Sequence, residues 1–282
     1  MVRFIALLVG AAFTFVLALA LWGTVSSAIS DPAPESAEHE FHLHPRDAAL
    51  PSAGFFGKFD RRQLQRGFQV YKEVCSACHS LSHVAFRDLT QLGYTDAEVK
   101  AIAKGFQVPG TDPNTGEDAM RPGMPTDYFP KPFANDIAAR AANNNAVPPD
   151  LSLMTKARHE GPQYVYSLLT GYQNQPAALL KEFPDAKTPP GLHYNPYFAN
   201  LNLAMPPPLT STGQVSYGDG TKPTVDQMAK DVAAFLIWTA EPKLEKRKQT
   251  GWPVLGFLLF ATILGYMSYK NVWYDKKKHK VA

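Results

Sequence analysis

Two cysteines and a histidine lie within one short segment, Val74-Cys75-Ser76-Ala77-Cys78-His79. Cysteines at this spacing can each form a thioether with a vinyl group of the same porphyrin. The histidine that follows can then direct a ring nitrogen at the iron. Cys-x-x-Cys-His is the attachment sequence of c-type haem. We therefore predict one covalently bound haem c on Cys75 and Cys78, with His79 as its first axial ligand.

Other uses of a Cys-x-x-Cys pair fit this sequence less well. A structural zinc site would need two further ligands at matching spacing, and the chain contains no other cysteine. A redox-active dithiol of the thioredoxin type would lie near a βαβ pattern, which the sequence lacks. Since the haem would use both cysteines, no disulfide is expected.

An electron-transfer haem needs a second axial ligand, either methionine or histidine, opposite His79. Met154 and Met228 fall in or near predicted helices, so they suit a hydrophobic core. Met205 and Met124 each precede a proline in a loop, where prolines can hold a thioether in place without regular structure. Met120 and Met124 also follow His79 at a distance close to that in small cytochromes c. From the residues alone, Met205 and Met124 are equal candidates.

Helices separated by long irregular segments are expected to position this site. Asp60 can cap a helix that leads to the cysteines, with apolar residues recurring at helical spacing. Capping boxes at 95–98 and 224–227 and a proline-initiated segment at 162–171 predict three more helices. Residues 107–150 and 172–222 are rich in proline and glycine, so we expect loops there, with a helical turn or two at 137–142.

Apolar runs occur near both ends of the chain. Residues 4–22 follow Arg3 and precede an acidic stretch, so residues 1–30 are a signal peptide or an N-terminal anchor. The length of the run favours an anchor. The small residues at 26–28 favour cleavage, and removal is the preferred interpretation. The second run, Trp252–Tyr269, carries interfacial aromatic residues and precedes a lysine-rich tail, which predicts a C-terminal transmembrane helix.

These features predict an exported, membrane-anchored protein. An extended leader covers 31–58, a periplasmic haem domain 59–242, the transmembrane helix 251–270 and a cytoplasmic basic tail 271–282. Basic residues at 243–248 weaken the charge rule, and the orientation follows instead from the need to have the haem domain outside the cytoplasm. No Arg- and Ser-rich transit peptide is present, so a bacterial inner membrane is expected.

The remaining composition restricts partners more than it identifies them. The formal net charge is +3, and the basic excess lies at the two ends, so nucleic-acid binding is not expected. The net-acidic middle of the chain would weakly favour a basic partner. His39, His42 and His44 cluster in the leader, where a polar linker is preferred over a structural metal site.

Several segments resemble cytochrome c1, the haem-bearing subunit of the cytochrome bc1 complex, and together they cover roughly residues 55–275. They are Val74–Ser80, Arg121–Gly123, Asp127–Pro132, Ala138–Asn144, Pro148–Ser152, Ala157–His159, Tyr164–Tyr172 and Tyr194–Phe198. The resemblance implies a mainly α fold. It is a cytochrome c-like haem domain with long Pro/Gly-rich loop insertions, plus a C-terminal transmembrane helix.

The resemblance also separates the two methionine candidates. In that family the axial methionine lies in a Met-Ala-Pro-Pro-like segment, which Met205-Pro206-Pro207-Pro208 matches except that Pro206 replaces the alanine. Met205 is therefore implied as the second ligand, and Met124 is not at the family's position. The family further implies that Arg158 and Tyr164 lie near the haem propionates, although Arg158 could also be a solvated surface charge.

An electron carrier, and not an enzyme on its own, is the function that the resemblance implies. It would serve a ubiquinol–cytochrome c oxidoreductase complex in the lipid bilayer, beside cytochrome b. It would accept an electron from the Rieske iron–sulfur protein and pass it to a cytochrome c. One alternative is a membrane-tethered monohaem shuttle for a dehydrogenase or terminal oxidase. A haem-based sensor or peroxidase is a second alternative, and it would need an open iron position.

Overall fold

The computed structural model describes residues 1–31, 36–112 and 114–278 of the chain. The residues outside this description belong to three predicted segments: the leader (32–35), the 107–150 loop (113) and the basic tail (279–282). The fold is mainly helical, as predicted. The chain divides into two compact units, residues 1–42 with 176–187, and residues 43–175 with 188–282.

The regular elements follow one another in this order. The helices are α1 (Val2–Ser30), α2 (Ala37–Phe41), α3 (Arg61–Val70), α4 (Asp96–Lys104), α5 (Asp136–Ala142), α6 (Met154–Ala157), α7 (Gly161–Thr170), α8 (Ala177–Glu182), α9 (Val225–Ala240) and α10 (Leu244–Lys278). Two antiparallel pairs of strands lie between them, β1 (Gln107–Thr111) with β2 (Asp118–Pro122) and β3 (His193–Tyr194) with β4 (Asn202–Leu203). A π-helical turn covers Tyr71–Cys75, and 3-10 turns cover Phe86–Leu92 and Pro184–Ala186.

The first unit contains α1, α2 and α8. Helix α1 is 29 residues long, is apolar, and buries none of its side chains. Leu179 of α8 is fully buried, and Phe41 meets Phe183 edge to face with ring centroids 6.3 Å apart. By length and composition α1 could cross a membrane. A signal sequence near an N-terminus meets the same criteria of length and composition.

The haem domain is built on the crossing of α3 and α9. A Cβ placed on Gly67 would lie 2.0 Å from the backbone oxygen of Asp231, so only glycine lets the two backbones come this close. Phe68 and Phe235 fill the space beside the crossing, with ring centroids 5.7 Å apart. Leu64 and Met228 are fully buried on the same two helices. Burying side chains of this size stabilises the domain by about 1.5–3 kcal/mol each.

An ion pair reinforces this crossing. Arg66 Nε donates to the fully buried Asp231 carboxylate at 2.8 Å, and Arg66 Nη1 donates to Asp219 at 2.6 Å. Burial alone would lower the pKa of Arg66, but the two carboxylates outweigh it and raise that pKa above its usual value. Gln227 donates a further hydrogen bond to Asp231 at 2.8 Å. Removing either charge of such a buried pair costs about 3–5 kcal/mol.

The predicted helix starts are present in the structure. Asp60 accepts from the backbone N–H groups of Arg62 and Gln63, and Thr95 with Glu98 forms a reciprocal capping box. Helix α7 begins with a proline in its first turn and ends before Gly171. Thr224 caps α9, but the Gln227 side chain bonds Asp231 and does not return to the cap, so only half of the predicted capping box forms.

The irregular segments contain more structure than predicted. The 107–150 segment holds the β1–β2 hairpin, and the 172–222 segment holds α8 and the short β3–β4 pair. A proline within β1 (Pro109), another at the end of β2 (Pro122), and strands of only two residues in the second pair hide these elements from a periodicity search. The buried side chains of the 3-10 turn, Phe86, Leu89 and Leu92, recur every third residue, which suits 3-10 geometry rather than an α-helix.

The ends of the haem domain also differ from the prediction. The extended leader contains α2. Further along the leader, Ala48 and Leu50 pack into the domain core. Helix α10 begins at Leu244 and runs for 35 residues, beyond the predicted span of 251–270 in both directions. Its residues Leu244–Tyr274 form the second helix long and apolar enough to cross a membrane. The charged first turns are bonded to residues of the preceding domain, through Glu245 to Phe59 and through Lys248 to Ser52 and Gly54.

Candidate haem site

The attachment segment is a compact turn at the end of α3. The helix widens into a π turn, in which the Ser76 N–H donates to the Tyr71 carbonyl at 2.8 Å. The N–H groups of Cys78 and His79 then both donate to the Cys75 carbonyl, at 3.1 and 2.9 Å. The two thiols are free and are not joined by a disulfide. Both cysteines and the histidine therefore lie on one turn, as attachment to a single porphyrin requires.

The imidazole of His79 is oriented for metal binding. Its Nδ1 lies 2.8 Å from the Pro149 carbonyl oxygen. A carbonyl only accepts, so Nδ1 must carry the proton, which leaves the Nε2 lone pair available to a metal. Burial lowers the pKa of His79, against the opposing effects of the Pro149 carbonyl and the Asp150 carboxylate. The imidazole is therefore neutral at neutral pH, the form that iron binds.

A carboxylate holds the carbonyl that orients His79. Asp150 accepts from the Ser80 hydroxyl at 2.7 Å, the Ser82 N–H at 2.8 Å and the Ser152 N–H at 2.9 Å. Burial would raise the pKa of Asp150, but these hydrogen bonds outweigh it and hold that pKa well below its usual value. Asp150 thereby joins the segment after the haem turn to the segment that contains Pro149.

A second group of residues surrounds the Met205 segment. The Tyr172 hydroxyl donates to the Met205 carbonyl at 3.1 Å, which fixes the backbone of the proline-rich loop. Burial raises the pKa of Tyr172, and the neighbouring Tyr164 adds to that rise. Burial also raises the pKa of Tyr164, and the nearby Arg158 partly offsets that rise. Arg158, Tyr164 and Tyr172 therefore lie near one another, and the Tyr172 hydroxyl joins this group to the Met205 loop.

Arg158 combines features of both interpretations made for it. The residue is exposed, as a surface charge would be, and Nη1 donates to the Ala157 carbonyl at 3.1 Å, but its charge also lies close enough to Tyr164 to lower the pKa of that hydroxyl. The structure therefore brings together the two residues that the resemblance assigned to the propionates. Their role towards a haem stays a prediction.

The other methionines occupy different environments. Met228 is fully buried in the core, and the partly buried Met154 packs against that core. Met120 and Met124 are 60% and 50% exposed, on β2 and in the turn after it. That turn is held by Arg121, which donates two hydrogen bonds to Asp127 at 2.7 and 2.8 Å. Met205 is partly buried on a backbone held by Tyr172.

Three supporting residues were not identified from the sequence. Pro149, Asp150 and Tyr172 act through a carbonyl, a hydrogen-bond network and a distant hydroxyl. Pro149 and Asp150 lie in the Pro148–Ser152 segment quoted for the resemblance, and Tyr172 ends the Tyr164–Tyr172 segment; these matches were the only signal for the three residues. The leader histidines His39, His42 and His44 raise the separate question of a metal site. Within residues 1–31, 36–112 and 114–278 no group of three or more His, Cys, Asp or Glu side chains could hold a metal ion.

Two cavities adjoin these groups of residues. One, of about 490 Å³, lies against the attachment turn. Its lining is mostly aromatic and proline side chains and includes Tyr71, Ser76, Phe106, Met120, Phe129 and Pro132. The other, of about 510 Å³, lies beside the Met205 loop and is lined by Tyr172, Gln175, Thr188, His193, Tyr194 and Pro207. The mostly apolar walls of the first cavity suit a flat apolar macrocycle, whereas the second cavity is lined largely by polar side chains.

A cysteine pair on one turn, a histidine with a free Nε2 and a helical domain continuous with an apolar helix define a membrane-anchored c-type haem protein. The Cytochrome C1 family matches residues 50–276. The chain belongs to the cytochrome c1 family, whose members serve electron transport. The cofactor is accordingly a c-type haem.

Individual relatives support this assignment. Cytochrome c1 of Rhodospirillum rubrum is 43% identical over 259 residues, covering 87% of this chain and 92% of that protein. The mitochondrial cytochrome c1 heme protein 1 of Arabidopsis thaliana is 43% identical over 271 residues, covering 95% and 85%. Cytochrome b/c1 of Bradyrhizobium diazoefficiens is 48% identical over 238 residues. The match covers 79% of this chain but only 34% of that relative, so this chain spans about a third of its length.

We expect Asp150→Asn to destabilise the haem domain in a pH-dependent way. The carboxylate has a depressed pKa in the folded protein, so its contribution is complete above its unfolded pKa of about 4 and declines as pH falls further. At pH 7 the variant should lose about 1.5–3 kcal/mol of unfolding free energy. Denaturant titration of the purified holoprotein, followed by haem absorption, measures this loss.

The matched control for that experiment is Asp136→Asn, in the exposed first turn of α5. Its stability should follow that of the unchanged chain at every pH. The deficit of Asp150→Asn should shrink as the pH is lowered towards roughly 3. A deficit that stays constant from neutral to acidic pH would show that the network does not depend on the carboxylate charge.

Proposed function

We propose that this chain carries electrons from a Rieske iron–sulfur protein to a cytochrome c, as the haem subunit of a cytochrome bc1-type complex. The observation that carries the proposal is the His79 imidazole, whose Nε2 is left free by the Nδ1 bond to Pro149 in a chain of the cytochrome c1 family. A bound haem c supplies a one-electron iron couple. Two axial side chains would leave no open position for oxygen chemistry.

The attachment residues have distinct roles in this proposal. Cys75 and Cys78 would each add their S–H bond across a vinyl group of the haem, with sulfur bonding one vinyl carbon and the hydrogen going to the other, and the two thioethers would keep the cofactor on the chain. His79 donates the Nε2 lone pair, and the Pro149 carbonyl keeps the proton on Nδ1 and the ring in place. Met205 supplies a thioether sulfur from a loop that the Tyr172 hydroxyl and three prolines hold still.

Arg158 and Tyr164 are proposed to bind the propionate carboxylates. A carboxylate in a poorly hydrated site needs a charge-assisted donor, and the guanidinium supplies one. The charge of Arg158 acts on the Tyr164 hydroxyl and lowers its pKa, so the two groups lie in the same region. A fixed positive charge there would favour the reduced, less positive iron and so raise the reduction potential.

The partners are proposed from the same membership and from the anchor helix. The name of the Bradyrhizobium relative joins a cytochrome b to a cytochrome c1, which supports cytochrome b as the membrane partner of this chain. Helix α10 would cross a bacterial cell membrane, with the haem domain on the periplasmic side and the C-terminus in the cytoplasm. The Rieske protein would be the donor and a cytochrome c the acceptor.

Purification from membranes in mild detergent tests this function. We expect a c-type absorption band that travels with a b-type cytochrome and an iron–sulfur protein. Haem stain should remain on this chain in a denaturing gel and should vanish in the double variant Cys75→Ala/Cys78→Ala. A c-type band on a lone polypeptide would contradict the complex and support a tethered shuttle. A stain that persists in the double variant would contradict the thioethers.

The ligand assignment predicts opposite results for two methionines. Met205→Leu removes the sulfur ligand, so the thioether-to-iron absorption band should disappear and the reduction potential should fall. Met124→Leu is the matched control, because Met124 also precedes a proline but is half exposed. Optical redox titration of both variants measures the effect. Loss of the band in Met124→Leu, with its retention in Met205→Leu, would refute the assignment.

The propionate role predicts a change in potential without a change in ligation. Arg158→Gln should lower the reduction potential, because removing a nearby cation stabilises the ferric form. Arg62→Gln, at the exposed far end of α3, is the control and should leave the potential unchanged. The thioether band should persist in both variants. Equal potentials in the two variants would support a plain surface charge at Arg158.

A further inference from the structure

One loop exposes two large aromatic side chains next to the start of the anchor helix. We call residues 51–59 the aromatic loop. Phe55 and Phe56 are 77% and 81% exposed. Among the described residues between α1 and α10, Phe56 is the most exposed large hydrophobic side chain. Adjacent exposed phenylalanines are unusual on a water-facing surface and indicate a contact with another apolar medium.

The exposure is held in place by hydrogen bonds from α10. Lys248 Nζ donates to the backbone oxygens of Ser52 and Gly54, at 2.9 and 2.5 Å. At the other end of the loop, the Phe59 N–H donates to the Glu245 carboxylate at 2.7 Å. The Lys58 N–H also closes the loop onto the Pro51 carbonyl at 3.0 Å. The loop is therefore fixed to the first turns of α10 at both ends.

The loop backbone is also too tight for side chains at its bends. A Cβ on Gly57 would lie 2.0 Å from the Ala53 carbonyl oxygen, and Gly54 has a left-handed φ of +69°. Glycines at these two positions let the chain turn sharply enough to place Phe55 and Phe56 at its tip. The two phenylalanines are thus exposed by a defined backbone conformation.

The exposed rings are continuous with the apolar surface of α10. Phe56 stacks on Trp252 with ring centroids 5.7 Å apart, and Phe55 lies 5.8 Å from the same indole. Trp252 begins the apolar part of the helix, at the level where tryptophans mark the boundary between water and hydrocarbon. A surface that lipid covers at Trp252 therefore extends without a break onto the two phenylalanines.

Positive charges occur at the same level. Lys58, Lys243 and Lys246 are exposed around the loop and the first turns of α10. Amphipathic surfaces that lie in a membrane interface combine apolar rings with neighbouring lysines in this way, because lipid phosphates are anionic. These charges favour a lipid headgroup layer over an apolar protein surface as the medium in contact with the loop.

We propose that the aromatic loop inserts Phe55 and Phe56 into the headgroup region of the bilayer, on the side that carries the haem domain. The inference rests on the proposed crossing of the membrane by α10. A single helix would let the haem domain rotate and tilt about its anchor. A second contact, rigidly joined to the helix through Lys248 and Glu245, fixes the orientation of the domain above the lipid surface.

Lipid-depth quenching of the full holoprotein in phospholipid nanodiscs tests this proposal. The haem of the holoprotein uses Cys75 and Cys78, so a single added cysteine can carry a small fluorophore. Phe56→Cys is the test position. Ile263→Cys, within the apolar part of α10, reports the membrane span. Ile137→Cys, 80% exposed on α5, is the matched control for an exposed apolar position elsewhere on the haem domain.

The fluorophore at position 56 should lose more emission to lipids spin-labelled near the headgroup than to lipids labelled near the chain end. Aqueous iodide should quench it weakly. The fluorophore at position 263 should lose more emission to lipids labelled near the chain end than to lipids labelled near the headgroup. The fluorophore at position 137 should be quenched by iodide alone. Quenching at position 56 by iodide and not by lipid would overturn the proposal. Protection of position 56 from both quenchers would also overturn it, and would indicate that another protein surface covers the loop. Failure of tail-labelled lipid to quench position 263 would instead refute the span itself, and the loop inference with it.

Discussion

The close crossing of α3 and α9 is the constraint on which the haem domain depends. Gly67 allows the two backbones to meet, and Arg66 places its charge between Asp231 and Asp219. The buried carboxylate of Asp231 is tolerated because Arg66 pairs with it and Gln227 donates a further hydrogen bond to it. The cysteine turn follows α3 directly, so the position of the crossing sets the position of the attachment site.

Polar groups hold the iron-binding imidazole where hydrophobic packing alone could not. A side-chain ring rotates freely about its bonds unless a directed hydrogen bond selects one orientation. The Pro149 carbonyl makes that selection for His79, and the Asp150 network holds the carbonyl segment in turn. The Met205 loop is organised in the same manner, by one hydroxyl from Tyr172 acting on a backbone already stiffened by prolines. Both proposed axial ligands therefore depend on residues that never touch the iron.

The basic residues at the start of α10 show how tertiary contacts change the meaning of a charge pattern. Counted along the sequence, they oppose the expected orientation of the anchor helix. In the structure, Lys248 binds carbonyl oxygens of the aromatic loop and Arg247 pairs with Glu241. These two charges are engaged in joining the helix to the haem domain. A count of lysines and arginines along the sequence does not record these contacts.

The sequence by itself determined the local features of this protein. Each of these features depends on residues a few positions apart, so short-range rules identify it. They are the cysteine pair with His79, the caps at Asp60 and Thr95, the limits of α7 and the apolar helix near the C-terminus. The β1–β2 hairpin was missed because its prolines interrupt a strand pattern. The 3-10 turn was missed because its buried residues follow a three-residue spacing, and the earlier start of α10 because its first turns are charged and bond the distant residues Ser52, Gly54 and Phe59. Only the tertiary structure decided which carbonyl orients His79, which hydroxyl holds Met205 and why Phe55 and Phe56 are exposed. Those outcomes depend on groups tens of residues apart along the chain, whose proximity no sequence spacing records.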